Sequence, residues 1–269
     1  MTFLDLLQSR QTLLMDGAMG TELMRRGYRG PTWRANLDVT DLVHAIHIEF
    51  ESAGAEVLLT NTFLVPSMLD ERGMVHETIT RAETLAVGYR LASLGPMRKP
   101  DFPDIEELLR RTAGFTAVDG FLLETCSDLS ALAAATAIAE RTAHPVIVSF
   151  SYRTDPATGD ARTTAGMSPE TIAEVVDGKI AGLGVNCGLN QSPAQVADVV
   201  RRYRTATSLP LLARPNAGSP GSTLSPENWA RETAQAVNAG ATLIGGCCGT
   251  TPEHIRELAT LLGKRPFSG

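Results

Sequence analysis

The chain has 269 residues, of which 43% are hydrophobic and 20% charged, with a formal net charge of -6. A chain of this length can bury a full core, and α/β barrels of about 250 residues fold as one domain, so length alone leaves one or two domains open. The acidic balance, without a stretch dense in lysine and arginine, argues against nucleic acid and anionic membranes as partners. The N-terminus lacks a basic segment before an apolar one, and about 18 consecutive apolar residues occur nowhere, which predicts a cytoplasmic protein.

Eight short apolar runs alternate with amphipathic segments along the chain. Most runs are nearly continuous and rich in valine, isoleucine or leucine, a pattern typical of parallel strands buried on both faces. The predicted strands are 12–15, 55–60, 89–94, 118–124, 145–150, 180–185, 209–213 and 241–245.

Helices are predicted between the runs. Apolar residues at helical spacing predict a helix over about 38–53. Four later helices are predicted to begin where a hydroxyl residue precedes proline, because the hydroxyl can cap free N–H groups and proline at the first helical position loses no hydrogen bond. These starts are Ser168-Pro169, Ser192-Pro193, Ser225-Pro226 and Thr251-Pro252.

Eight strand–helix units predict parallel strands with crossover helices, either closed as a (β/α)8 barrel or open as a doubly wound sheet. The segments after strands are long and polar, as in 18–36, 151–167 and 214–224, whereas the returns from helix to strand are short. This asymmetry favours a barrel, whose loops after strands build the active-site face. Eight units consume the chain, so we expect an α/β fold with a single (β/α)8 TIM barrel over residues 1–269.

Three of the four cysteines follow predicted strand ends. Cys187 follows the sixth run, and the adjacent Cys247 and Cys248 follow the eighth. Three thiols on one rim suit a catalytic zinc site, which keeps three protein ligands and one open position. A vicinal disulfide or two buried thiols remain alternatives on chemistry alone. The fourth cysteine, Cys126, follows the fourth run and is interpreted as a spare thiol on the same face.

Five segments together resemble the homocysteine S-methyltransferase family, which includes the homocysteine-binding module of cobalamin-dependent methionine synthase and the betaine-dependent enzymes. They occur in the family's order and extend over nearly the whole chain. The segments are Met15-Asp16-Gly17-Ala18-Met19-Gly20-Thr21, Gly54-Ala55-Glu56 with Thr60-Asn61-Thr62-Phe63, Gly184-Val185-Asn186-Cys187, Pro215-Asn216-Ala217-Gly218 and Gly245-Gly246-Cys247-Cys248-Gly249.

The resemblance implies a (β/α)8 barrel with Zn²⁺ held by Cys187, Cys247 and Cys248. It also implies that Asp16 and Glu124 bind the amino group of homocysteine. Further substrate contacts are carried over to the backbone of Gly17 and Ala18 near the carboxylate, to Asn61 and Thr62 in the pocket, and to Asn216 near the metal. Without the resemblance, Asp16 and Asn216 suit turns, and Glu124 suits a solvated strand end.

The resemblance implies an S-methyltransferase that converts homocysteine to methionine. The methyl donor is open, because the segment between Pro96 and Val118 is shorter than the donor-side loop of many relatives. Alternatives are methylation of another thiol or a selenol, and a homocysteine-binding subunit of a corrinoid-dependent system. With the chain consumed by one barrel, we expect the donor to arrive as a small molecule or on a separate corrinoid protein.

Overall fold

The structure is a computed structural model that describes residues 1–67, 74–85, 88–96, 104–188, 191–219 and 222–264. Eight parallel strands correspond to the eight predicted runs. They are β1 Leu13–Leu14, β2 Val57–Leu59, β3 Tyr89–Leu94, β4 Gly120–Cys126, β5 Val146–Phe150, β6 Gly182–Asn186, β7 Leu211–Arg214 and β8 Leu243–Ile244.

The eight strands close into a ring. The hydrogen-bonded order is β1-β8-β7-β6-β5-β4-β3-β2, which is the order of the chain taken backwards from the β1–β8 pair. A parallel bridge between Met15 and Val57 joins β1 to β2, and the Asp16 N–H donates to the Val57 carbonyl at 3.1 Å. The predicted (β/α)8 barrel is therefore confirmed, and the open doubly wound sheet is excluded.

Helices surround the barrel, and their bounds follow the sequence signals closely. They are α1 Phe3–Gln8, α2 Met19–Arg25, α3 Ala35–Asp38, α4 Thr40–Ser52, α5 Met74–Leu85, α6 Ile105–Thr112, α7 Ser130–Thr142, α8 Pro169–Val176, α9 Pro193–Arg204, α10 Pro226–Asn238 and α11 Pro252–Leu261. Among the residues described, no helix combines the length and the apolar character that crossing a bilayer requires.

The four helices predicted to start at proline do so. The Ser168, Ser192 and Ser225 side chains each accept a hydrogen bond from the backbone N–H three residues further on, at 3.2–3.3 Å. The helix predicted over about 38–53 begins two residues later, because Val39, with φ -143° and ψ 53°, departs from helical geometry between α3 and α4.

Two apolar clusters stabilise the barrel. The outer cluster packs the helices against the strands, and the inner cluster fills the barrel itself with side chains at alternate strand positions. Helix α1, which sequence reasoning did not predict, places Phe3 and Leu7 in the inner cluster. Since these side chains pack with Leu13 and Leu243 at the strand starts, α1 closes the N-terminal end of the barrel.

The segments after the strands carry more secondary structure than the expected loops. The first contains α2 and α3, the 151–167 segment contains a hairpin of Arg153–Thr154 with Ala161–Arg162, and the 214–224 segment contains a hairpin of Gly218–Ser219 with Ser222–Thr223. Turn-forming residues are common both in loops and in the turns of short hairpins, so they do not distinguish the two. All three segments lie at the C-terminal rim of the barrel, as predicted.

Candidate functional site

Three thiols meet at the C-terminal rim. The Sγ atoms of Cys187, Cys247 and Cys248 all lie within 4.8 Å of one another. All four cysteines are free, so the vicinal disulfide considered above is not formed. Three cysteine sulfurs form a soft donor set that can hold a thiophilic metal ion, and a three-ligand set leaves one position for a further ligand.

Local backbone geometry brings the three thiols together. Cys187 adopts a φ of 58°, in the left-handed region, immediately after β6, and its N–H donates to the Arg214 carbonyl at 3.2 Å. Cys247 and Cys248 are held from both sides, since the Cys247 N–H donates to the Pro215 carbonyl at 2.9 Å and the Cys248 carbonyl accepts from Ala217 at 2.9 Å. These bonds turn two consecutive cysteines out of strand geometry, where they would face opposite ways.

The glycines before the two cysteines are required by close packing. A Cβ on Gly245 would lie 2.7 Å from the Asp16 carbonyl oxygen, and one on Gly246 would lie 2.3 Å from the Thr250 hydroxyl. The Thr250 hydroxyl donates to the Cys247 carbonyl at 2.7 Å and accepts from the Ala18 N–H at 3.1 Å. Thr250 therefore connects the cysteine loop to the loop after β1.

The three thiols share protons unequally. Hydrogen bonds from the thiols of Cys247 and Cys248 lower the pKa of Cys187, and the Cys187 thiolate raises the pKa of the other two. One sulfur is thus an acceptor for two S–H donors. Metal binding to this cluster releases the remaining protons, so metal affinity rises with pH.

Cys126 does not join the cluster. It is fully buried in the outer apolar cluster, and its thiol lies 3.5 Å from the Leu123 carbonyl oxygen. Burial raises the pKa of Cys126. The expectation that it lies on the site's face is wrong, because the register of β4 shifts between Leu123 and Cys126 and turns its side chain toward the helices.

Two buried carboxylates lie below the rim. Asp16 is 2% exposed and its Oδ2 accepts the Leu59 N–H at 2.8 Å. Glu124 is 6% exposed and its Oε1 accepts the Ser93 hydroxyl at 2.5 Å. The sequence predicts that β4 ends at Glu124. The strand instead continues through Thr125, which has a left-handed backbone conformation, to Cys126. Both carboxylates point into the barrel rather than into solvent.

Arg214 joins the two carboxylates and was not singled out in the sequence. Its Nη2 donates to Asp16 Oδ1 at 3.0 Å, and its Nη1 lies 3.8 Å from Glu124 Oε2. The signal was present, because an arginine directly after the buried run Leu211-Leu212-Ala213 must find a partner for its charge. Sequence spacing alone does not show which partner.

Asn186 is the second residue that the sequence reasoning left without a role. Its Oδ1 accepts from the Ser149 hydroxyl at 2.7 Å and from the Thr125 N–H at 3.0 Å, and its Nδ2 lies 3.4 Å from Glu124 Oε2. Asn186 therefore holds the irregular end of β4 and orients Glu124. Its place in the Gly-Val-Asn-Cys segment, one residue before a predicted ligand, was the available signal.

Burial dominates the electrostatics of the acidic pair. It raises the pKa of Asp16 to about 7, although the Arg214 guanidinium and the Leu59 N–H act in the opposite direction. Burial likewise raises the pKa of Glu124, and Arg214 and the Ser93 hydroxyl oppose it. A cation placed beside these groups would favour their ionised forms.

Asn216 lies beside the thiol cluster, as the resemblance implies. Its Nδ2 is 3.7 Å from Cys187 Sγ and 3.5 Å from the Gly188 carbonyl oxygen. Its Oδ1 is buried and has no hydrogen-bond partner among the described residues. A buried carbonyl oxygen without a protein partner, next to three sulfurs, is a fitting neighbour for a cation held by those sulfurs.

Asn61 and Thr62 differ in their surroundings. Asn61 lines the cavity described below, and its Nδ2 is used to bind the Thr32 carbonyl at 2.6 Å and Asn36 Oδ1 at 3.0 Å. The Thr62 hydroxyl instead donates to the Ser93 carbonyl at 2.8 Å, and Thr62 is absent from the described lining. The expectation for Thr62 is therefore wrong, since its side chain joins neighbouring strands.

A cavity of about 440 Å³ connects the thiols with the acidic pair, within the roughly 300–1,000 Å³ typical of small-molecule sites. Gly17 and Ala18 line its wall at the loop after β1, and Met19, Met24 and Phe63 are among its apolar lining residues. The lining comprises Asp16, Gly17, Ala18, Met19, Gly20, Thr21, Met24, Thr32, Leu59, Thr60, Asn61, Phe63, Ser93, Pro96, Glu124, Thr125, Cys187, Arg214, Cys247 and Cys248.

Comparison with known proteins gives the same assignment as the geometry. The family model for homocysteine S-methyltransferase matches residues 13–262, which is nearly the whole chain. The chain belongs to the homocysteine S-methyltransferase family. The cysteine cluster, the acidic pair and the cavity of this family member all lie within the matched region.

Two methionine synthases that resemble this chain are much longer than it is. It is 30% identical to the methionine synthase of Mycobacterium tuberculosis over 96% of the chain, and 29% identical to that of Mycobacterium leprae over 97%. In both cases the chain spans about a quarter (25%) of the relative's length.

Solved structures agree on the fold. The metallated form of the homocysteine methyltransferase MmuM from Escherichia coli matches with a TM-score of 0.75 and 21% identity, over 96% of this chain and 98% of that one. The oxidised form of the same protein matches equally well, with a TM-score of 0.75.

Proposed function

We propose that this protein is a zinc-dependent S-methyltransferase that transfers a methyl group to the thiol of L-homocysteine and forms methionine. The observation that carries the proposal is one cavity with three convergent thiols at its rim and two buried carboxylates at its base. A thiol acceptor with an ammonium group is complementary to that pairing, because sulfur suits the cysteine cluster and the ammonium suits the carboxylates.

Cys187, Cys247 and Cys248 would hold the zinc ion. The chemistry that zinc supplies when bound is a lowered pKa for a coordinated thiol, so that the acceptor sulfur is a thiolate at neutral pH. Asn216 borders the cluster and is proposed to approach the open metal position before substrate arrives. Free thiols in such a cluster persist in a reducing compartment, so the proposal includes a cytoplasmic location.

The protein's own residues would bind and orient the acceptor. Asp16 and Glu124 accept hydrogen bonds from the ammonium, and the loop at Gly17 and Ala18 lies near the carboxylate. The Ala18 N–H already donates to Thr250, so the Gly17 side of this loop is the better carboxylate contact. With the acceptor held at both ends, its sulfur attacks the methyl carbon of the donor, and the donor leaves with the bonding electron pair.

A donor panel tests the proposal. Zinc-loaded protein is incubated with homocysteine and, separately, with S-methylmethionine, S-adenosylmethionine, a betaine or a methylated corrinoid protein, and methionine is quantified. We expect methionine with at least one of the small-molecule donors and none after zinc removal. Full turnover by protein verified to be free of zinc would refute the mechanism.

A second candidate is a homocysteine-binding subunit that works with a separate corrinoid protein. It is favoured by the relatives named methionine synthase, in which the similar segment is only 25% of the protein. Calorimetric titration with homocysteine separates the candidates. The subunit is supported if homocysteine binds and methionine forms with the corrinoid donor but with no small-molecule donor. Methylation of another thiol or of a selenol is tested by offering those acceptors in the same assay.

A further inference from the structure

Arg214 is a buried cation at the base of the cavity. It lies at the end of β7, two residues after Leu212 of the inner cluster, so its side chain points into the barrel, and it is 4% exposed. Its Nη2 donates to Asp16 Oδ1 at 3.0 Å and to the Gly17 carbonyl at 3.2 Å. Its Nη1 lies 3.8 Å from Glu124 Oε2. One guanidinium thus bridges carboxylates from β1 and β4.

The other contacts of the two carboxylates are all with hydrogen-bond donors. Asp16 Oδ2 accepts the Leu59 N–H, and Glu124 accepts the Ser93 hydroxyl and faces the Asn186 amide. Such a set of donors holds two anions in fixed positions. When both carboxyls are ionised, as a cation beside them favours, they and one guanidinium leave one unmatched negative charge inside the barrel. Because an unpaired buried charge is costly, the site is completed by one further cation of small size.

We propose that Arg214 is a positioning residue that fixes Asp16 and Glu124 as a joint receptor for one ammonium group, and so restricts the acceptor to thiols that carry an ammonium. The inference rests on the proposed function, since it names the part of the acceptor that this end of the cavity recognises. Arg214 acts through the two carboxylates. Its Nη2 is already used by Asp16 and Gly17, and its Nε has no hydrogen-bond partner among the described residues, but an acceptor carboxylate placed on this guanidinium would lie against two anions.

The test compares three thiols on zinc-loaded, full-length protein by isothermal titration. Homocysteine carries both charged groups, mercaptopropylamine lacks only the carboxylate, and mercaptobutyrate lacks only the ammonium. The variants are Arg214→Met, which removes the charge, and Arg214→Lys, which keeps the charge but offers one nitrogen. Arg202→Met is the matched control, because Arg202 also bridges two carboxylates, Glu170 and Asp160, on the outer face of the barrel.

Arg214→Met is expected to weaken the binding of homocysteine and of mercaptopropylamine by at least about tenfold, because two carboxylates that are no longer held must be ordered when the ammonium binds. The affinity for mercaptobutyrate is expected to stay within about twofold of the wild-type value. Arg214→Lys is expected to give intermediate losses with the same two thiols. Arg202→Met is expected to change none of the three affinities.

Three results would overturn the inference. If Arg214→Met lowers the affinity for mercaptobutyrate and leaves that for mercaptopropylamine unchanged, Arg214 is a carboxylate ligand. If the affinities for all three thiols fall equally, its role is merely structural. If Arg214→Met does not fold, an unchanged affinity ratio of homocysteine to mercaptobutyrate in Arg214→Lys is the overturning result. Failure of the wild-type protein to bind any of the thiols would instead refute the proposed function.

Discussion

Substituting Gly245 by alanine probes the close packing between the loop that carries Cys247 and Cys248 and the backbone of Asp16. The added Cβ would lie 2.7 Å from the Asp16 carbonyl oxygen and 2.7 Å from Met15 Cβ, about 0.7 Å short of an ordinary contact of 3.4 Å. Rotation of a side chain cannot relieve the clash with a backbone oxygen. That oxygen also accepts the Gly246 N–H at 2.9 Å, so a shift of this size breaks a buried hydrogen bond.

Overpacking costs about 1–3 kcal/mol and an unsatisfied buried group about 1–3 kcal/mol more, which together give roughly 2–6 kcal/mol. For a protein of this size, Tm is expected to fall by roughly 5–20 °C. Zinc affinity is expected to fall as well, because Gly245 lies between Asp16 and Cys247. Thermal melting and zinc titration measure both, with Gly182→Ala as the control, whose Cβ would meet its nearest atoms at 3.3 Å. A Gly245→Ala protein that melts within about 2 °C of wild type and binds zinc normally would refute this reasoning.

Three further predictions concern the site itself. Cys247→Ala is expected to lose zinc and methyl transfer, whereas Cys126→Ala keeps both, as elemental analysis and methionine assays will show; retained zinc in Cys247→Ala contradicts the ligand assignment. Glu124→Gln keeps the shape but removes the charge, so Kd for homocysteine is expected to rise about 10–100-fold with zinc content unchanged; an unchanged Kd speaks against ammonium binding. Because the pKa of Asp16 is about 7, its carboxyl ionises as pH rises, and the preference for homocysteine over mercaptobutyrate is expected to grow about tenfold between about pH 6 and pH 8. Asp16→Asn should flatten that profile, and a profile that stays steep in this variant would assign the titration to another group.

The barrel could be predicted because its strands and helix starts have local signals. The continuous apolar runs around Val57 and Val146 and the capping serines before proline each act over a few residues, and the structure places strands and helices there. The amphipathic α1 also has a local signal, because the Thr2 hydroxyl accepts the Asp5 N–H at 3.2 Å and the Asp5 carboxylate accepts the Thr2 N–H at 2.8 Å, but its six residues are too few for a clear apolar period. Its inner residues Phe3 and Leu7 become meaningful only when the ring of strands is known.

The thiol cluster could be predicted for a similar reason, since Cys187 follows β6 directly, Cys247 comes three residues after the end of β8, and the ends of parallel strands meet at one rim. The network of buried polar side chains below the thiols could not be predicted in this way. Arg214 and Asn186 lie far apart in sequence from their partners at Asp16 and Glu124. The pairing of the buried polar groups depends on which side chains of the different strands point into the barrel and on the register shift in β4. Neither property can be read from composition or periodicity.

The helix that closes the barrel at its N-terminal end also determines the path of ligands. Side chains of the inner cluster fill the space between α1 and the carboxylates, so the cavity that Asp16 and Glu124 line lies toward the C-terminal end of the barrel. An acceptor therefore reaches Asp16 from the same end of the barrel that carries the three thiols. Because α1 and the inner cluster occupy the opposite end, acceptor, donor and both products share this one rim.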